Sequence, residues 1–188
     1  MKWNPPESMH SMVSLMAKPE YVVLVDESDH SLGVSEKLQA HRAGLLHRAV
    51  SVLVFDRRGR LLLQKRAAGK YHSGGLWSNT SCTHPRPGET TAEAAHRSLR
   101  EEMGFDCELT ETRSFTYRAR MNNDFIEHEY DHVFTGRYDR DPRPDVEEIE
   151  AWRWEDLQAI RDDMTQRPDV YTAWFRIIME TIAPSFGP

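Results

Sequence analysis

The chain has 188 residues, 29% of them charged and 39% apolar, with a formal net charge of −6. That length suits one well-buried core and is short for two, and a mild negative charge spread along the sequence excludes a general nucleic-acid surface. No apolar run approaches the ~18 residues of a membrane span. The two cysteines, Cys82 and Cys107, have no CxxC spacing and no signal peptide ahead of them, which excludes a disulfide framework or thiolate zinc site and places the chain in the reducing cytoplasm.

Residues 1–20 hold Met1, Met9, Met12 and Met16 with Pro5 and Pro6 and lack a cationic apolar targeting pattern, so they read as a loose leader. The expected domain runs over 21–183, followed by a short tail at 184–188. Apolar, β-branched residues over 21–25 predict a strand that ends in the turn Asp26-Glu27-Ser28-Asp29. Strands over 50–55 and 61–64 flank Asp56-Arg57-Arg58-Gly59, a hairpin signal because glycine supplies the positive φ of such a turn. A short strand is expected over 76–81.

The period then changes. Ala92, Ala95, Leu99 and Met103 recur at helical spacing over 90–103, with Thr90 or Thr91 able to cap the start and Gly104 the end. Strands over 115–121 and 125–138 bracket Asn122-Asn123-Asp124 as a second hairpin, and a last strand covers 150–154. Helices over 155–162 and 170–182 close the chain, the second carrying Trp174, Phe175 and Ile178 on one side. Strands with one inserted helix and others at the end define an α+β class with a mixed sheet.

Strand alternation sends Glu127, Glu129 and Asp131 to one face and His128, Tyr130 and His132 to the other. Acidic alternation alone describes a solvated face; the supply of matching ligands elsewhere shifts the reading. His41 and His47 lie just before the strand at 50, and His84 follows Cys82 by two residues. Three imidazoles with Glu127 and Glu129 form a nitrogen and oxygen site suited to Mn²⁺, Zn²⁺ or Mg²⁺. His10, His30, His72, His96, His128 and His132 read as structural. On the central helix Arg97 stands four residues from both Glu93 and Glu101, surface pairs worth ~0.3–0.5 kcal/mol each. Glu102 has no such partner and borders the apolar stripe, which makes it a further metal candidate. A reduced thiol at Cys82 and the Glu129 carboxylate suit an enzyme that adds a proton on one face of a substrate and removes one from the other.

Gly88-Glu89, Arg97, Leu99, Glu101-Glu102 and Gly104-Phe105 look like a degenerate Nudix box, with Thr83 at its leading glycine and Ser98 at the glutamate after the arginine. The flanks match more closely. Ala40-His41, Leu46-His47-Arg48-Ala49, Tyr71-His72-Ser73-Gly74-Gly75-Leu76-Trp77-Ser78-Asn79-Thr80, Cys82-Thr83-His84-Pro85 and Glu127-His128-Glu129-Tyr130 resemble type I isopentenyl-diphosphate isomerase over residues 21–174.

The resemblance implies a Nudix-like mixed β-sheet fold with flanking helices. It implies a 1,3-allylic proton shift on a small homoallylic diphosphate, with Cys82 and Glu129 on opposite sides of the substrate and Tyr117 helping to deliver a proton. His41, His47, His84, Glu127 and Glu129 would hold a tightly bound divalent ion, Mn²⁺ or Zn²⁺ with Mg²⁺ as a further option. Glu102 would carry a Mg²⁺ that bridges to the diphosphate, Arg66 and Lys70 would bind the diphosphate, and the Trp174 ring would face a cation. Cys107 matches nothing and reads as structural. Two other readings stand beside this one: a Nudix pyrophosphohydrolase acting on nucleotide-like diphosphates, and a metal-holding Nudix domain without catalysis. Cys82 separates them, since hydrolysis of a phosphoanhydride needs no thiol.

Overall fold

A computed structural model describes residues 20–70, 72–121 and 124–182; residues 1–19 of the leader expected over 1–20, the tail at 184–188 and Asn122-Asn123 of the second hairpin lie outside the described residues. The chain's order is β1 (Tyr21–Val25), β2 (Ser31–Glu36), α1 (Lys37–Ala43), β3 (His47–Phe55), β4 (Leu61–Arg66), β5 (Trp77–Ser78), β6 (Ser81–Thr83), α2 (Thr91–Ser98), β7 (Leu109–Arg120), β8 (Ile126–Arg137), β9 (Ile149–Glu155), α3 (Leu157–Gln166) and α4 (Ala173–Ile182). Among the described residues no helix is long and apolar enough to cross a membrane.

The nine-stranded mixed sheet is organised by β3. One edge of β3 pairs in parallel with β8 from His47↔Glu129 to Phe55↔Arg137. The other edge is shared in turn by β1 at His47, by β6 from Val50 to Val52 and by β4 at Phe55. A strand with neighbours on both edges and packing on both faces must be apolar throughout, and His47-Arg48-Ala49-Val50-Ser51-Val52-Leu53-Val54-Phe55 is nearly so. Its two faces feed different cores. Leu53 joins Tyr117, Val133, Trp174, Phe175 and Ile178 under α4, whereas Val50, Val52 and Val54 join Ala94, Ala95, Leu99 and Met103 of the central helix. Each fully buried large side chain of this kind contributes ~1.5–3 kcal/mol.

Several elements differ from expectation. β2 and α1 are not foreseen, for physical reasons. β2 is an edge strand with Leu32 and Val34 exposed, so it shows no inward alternation, and α1 is too short to display a helical period. The Glu36 carboxylate caps α1 by accepting from the Leu38 and Gln39 N–H groups. The single strand expected over 76–81 is two short ones, β5 on β4 and β6 on β3. Between them Thr80 Oγ1 donates to Leu62 O and accepts from Val54 N. The helix expected over 90–103 is α2 followed by a wider π turn, Leu99–Met103, closed by Gly104 at φ 71°. Thr90 and Glu93 form a reciprocal capping box, so Glu93 is engaged there and not with Arg97. Arg97 pairs with Glu89 at 2.7 Å and with Glu101 at 3.3 Å.

Candidate active site

The five side chains singled out as metal ligands converge. One ligand atom each from His41, His47, His84, Glu127 and Glu129 lies within 4.8 Å of all the others. The register brings them there: His47 of β3 lies opposite Glu129 of β8, Glu127 is one alternation earlier on the same face, and α1 packs on β8 so that His41 meets Glu127 at 3.1 Å. His84 follows β6 and lies 2.9 Å from Glu129 Oε1 and 3.2 Å from His47 Nε2.

These residues fit a divalent ion. His41 Nδ1 faces Lys37 O at 2.6 Å and His47 Nδ1 faces Leu45 O at 2.8 Å; a carbonyl only accepts, so both rings carry their proton on Nδ1 and present a lone pair at Nε2. His41 Nε2 and Glu127 Oε2 are buried without a hydrogen-bond partner. Burial pushes His84 down to about 3, which keeps it neutral. Burial also pushes Glu129 up, but the His47 and His84 imidazoles beside it outweigh burial and hold the carboxyl well below its ordinary range. Nitrogen and carboxylate donors with no thiolate suit Mn²⁺, Zn²⁺ or Mg²⁺.

The site opens on a cavity of ≈ 750 Å³. Tyr117, opposite Glu129 across the β7–β8 pair, donates its hydroxyl to Glu129 Oε2 at 2.6 Å. Burial, with Glu129 beside it, raises the phenol well above its ordinary value, so it keeps its proton. Cys82 borders the same cavity from β6. Burial and then the Asp131 charge push its thiol up to about 12. β6 and β8 flank β3 on opposite edges, so Cys82 and Glu129 enter from two sides of that strand.

Cationic and acidic side chains both line the cavity, Lys37 paired with Glu20 at 2.7 Å. Arg66 and Lys70 line it as expected, and so does Lys37, which composition alone did not distinguish from other surface lysines. Lys70 is ion-paired with Glu148, and the Arg66 guanidinium lies 5.2 Å from the centre of the Trp174 ring. Glu102 lines the wall beside Ser81 Oγ, at 3.4 Å. Burial pushes its carboxyl up to about 7, against the pull of Lys70, Arg66 and Lys37. Trp174 is only 5% exposed, yet it borders the cavity as well as the core under α4.

Two residues not named as expected ligands or catalytic groups lie beside these side chains. His72, taken as structural, places Nε2 3.2 Å from Glu127 Oε1 and packs edge-on to Trp174. Asp131 is buried and accepts from Ser51 Oγ at 2.8 Å, beside the Cys82 thiol. The remaining described histidines stay outside: His30 and His96 pair with surface aspartates, His128 meets Gly44 O, and His132 bridges Asp29 and Glu111. Cys107 packs against the second core, away from the cavity. The glutamate and arginine of the box, Glu89 and Arg97, form a structural pair, with Arg97 also donating to His84 O at 3.1 Å. Ser98 is buried on Ser81, so the box lacks one of its acidic groups.

The fold and box define the class: the NUDIX domain family matches residues 45–175. Two solved structures share the fold, the DR0079 protein of Deinococcus radiodurans (TM-score 0.68, 21% identity, 78% of this chain and 90% of that one) and a MutT protein of Methanosarcina mazei Go1 (TM-score 0.63, 19% identity, 76% and 96%). Sequence relatives resolve the class further. "Isopentenyl-diphosphate Delta-isomerase 1" of Aromatoleum aromaticum is 54% identical over 163 residues, 87% of this chain and 92% of that protein. The "Isopentenyl-diphosphate Delta-isomerase" of Burkholderia multivorans is 52% identical over 161 residues, 86% and 92%. The chain therefore belongs to the isopentenyl-diphosphate Delta-isomerases within the NUDIX domain family.

Removing one imidazole tests the ligand set. His84→Ala is expected to weaken binding of a divalent ion at this donor set by ~10-fold or more, since even outer-sphere changes commonly cost that much. Metal analysis of the folded variant checks this, and undiminished content would exclude His84.

Proposed function

We propose that this cavity interconverts isopentenyl and dimethylallyl diphosphate, with Cys82 and Glu129 as the two proton carriers. The observation that carries the reading is the placement of a thiol on β6 and a carboxylate on β8 against one cavity that Arg66, Lys70 and Lys37 also line. One carrier gives its proton to the terminal methylene carbon; the alkene π electrons form that C–H bond and leave positive charge on the tertiary carbon. The other carrier takes a proton from the adjacent methylene, and the electrons of that C–H bond close the new double bond. Atoms and charge balance, and solvent exchange resets the carriers. Tyr117, hydrogen-bonded to Glu129, orients that carboxylate and can relay its proton. The ring of Trp174, which borders the cavity, attracts the positive charge.

The ion that His41, His47, His84, Glu127 and Glu129 fit would supply a fixed positive charge that holds Glu129 in place and tunes its proton affinity. Mn²⁺ and Zn²⁺ suit these ligands, as does Mg²⁺. Arg66, Lys70 and Lys37 bind the diphosphate oxygens, and Glu102 is suited to a substrate-borne Mg²⁺, which takes one or two protein carboxylates and keeps its waters. The buried Ser98 at an acidic box position and the thiol at Cys82 both favour isomerisation over hydrolysis.

Cys82→Ala is expected to lower kcat by at least ~10²–10⁴-fold, the size of a lost general acid or base, with diphosphate binding retained. Full activity in that variant would overturn the mechanism. Glu102→Gln should raise the Mg²⁺ and substrate concentrations needed for half-maximal turnover, with the histidine-bound metal unchanged. Loss of that tight metal with normal Mg²⁺ dependence would show that the two metal roles are misassigned.

A further inference from the structure

Asn79 occupies the gap between β5 and β6 and is fully buried. Its side-chain nitrogen donates to Val52 O at 3.2 Å and to Ser81 O at 2.9 Å. Both acceptors are backbone carbonyls, which cannot donate, so the amide has only one satisfactory orientation and both its protons are spent. Asn79 Oδ1 is left as an acceptor for two groups, the Cys82 thiol at 3.1 Å and the Ser78 hydroxyl at 3.1 Å.

Ser78 extends the chain. Its one proton goes to Asn79, so its oxygen accepts from Trp174 Nε1–H at 2.9 Å and from Thr172 Oγ1 at 3.0 Å. Ser78 and Thr172 are as buried as Asn79. A hydrogen-bonded line therefore runs from the Trp174 indole through Ser78 and Asn79 to the Cys82 thiol. A joint that served only to link two short strands would need the two backbone contacts and nothing more.

We propose that Asn79 is a positioning residue: its hydrogen bond anchors the Cys82 sulfur and, through Ser78, holds the thiol and the Trp174 ring in one frame around the substrate. The inference rests on the reading of Cys82 as a proton carrier. A cysteine side chain turns freely about its Cα–Cβ bond, and an unheld sulfur samples positions away from the reacting carbon. An acceptor locked by two backbone carbonyls removes that freedom.

The test uses the Cys107→Ala protein, in which Cys82 carries the one remaining thiol, and reads its S–H stretching band by infrared spectroscopy. Asn79→Ala should move the band to higher wavenumber as the hydrogen bond is lost. It should also lower kcat ~10- to 100-fold through misplacement of the reacting group, with KM and tight metal content nearly unchanged. An unmoved band, or a moved band with unchanged kcat, would overturn the proposal. Should Asn79→Ala fail to fold, Ser78→Ala leaves both amide contacts intact and makes Cys82 the sole donor to Asn79 Oδ1. The band should then shift to lower wavenumber, and an unshifted band would overturn the assignment. Turnover by Cys82→Ala would remove the catalytic reading itself, a result on which the band does not depend.

Discussion

The parallel pairing of β3 with β8 is the constraint on which the site depends. Side chains alternate with a period of two, so a slip of one residue would turn Glu127, Glu129 and Asp131 from the cavity to the opposite face and His47 away from Glu129. The apolar residues of β3 prevent the slip. Leu53 must meet the core under α4, while Val50, Val52 and Val54 must meet the central helix. The same strand carries Ser51 opposite Cys82 of β6. One register thus sets His47, Glu127, Glu129 and the Cys82 thiol together.

Such a site is costly to bury. Glu127 and Glu129 are nearly inaccessible and Asp131 is fully so, and like charges in a low-dielectric interior repel. Burial and the Glu129 charge push Asp131 up to about 8 and also raise Glu127, while Glu129 is held low by two imidazoles. The carboxylates therefore differ in proton affinity although they share one strand face. The divalent ion that this donor set fits would offset the remaining negative charge, which couples metal binding to the stability of the sheet. In the same cavity burial raises Glu102 while Lys70, Arg66 and Lys37 pull it down.

Much of this is legible in the sequence because it rests on residue type at strand spacing. The alternation Glu127, Glu129 and the histidines at 41, 47 and 84 identified a donor set that the fold assembles. Other features carry no such pattern. β2 shows outward-facing Leu32 and Val34, and α1 spans too few residues for a period. The π turn at Leu99–Met103 follows α2 without any break in the apolar spacing. His72 and Lys37 belong to the cavity, but an isolated histidine or lysine has many structural uses, and only the turn after β4 and the start of α1 reveal theirs. Asn79 lies in a motif that pointed to family, while its role depends on which carbonyls surround it.

The central claim is that a thiol and a carboxylate across β3 exchange protons with a carbon skeleton, where the NUDIX fold in hydrolases cleaves a phosphoanhydride. Incubation with isopentenyl diphosphate and Mg²⁺ in deuterated water, followed by mass spectrometry of the products, tests it most directly. The account predicts dimethylallyl diphosphate carrying deuterium on carbon, with the diphosphate intact. Release of inorganic phosphate and an isoprenyl monophosphate without deuterium on carbon would contradict it.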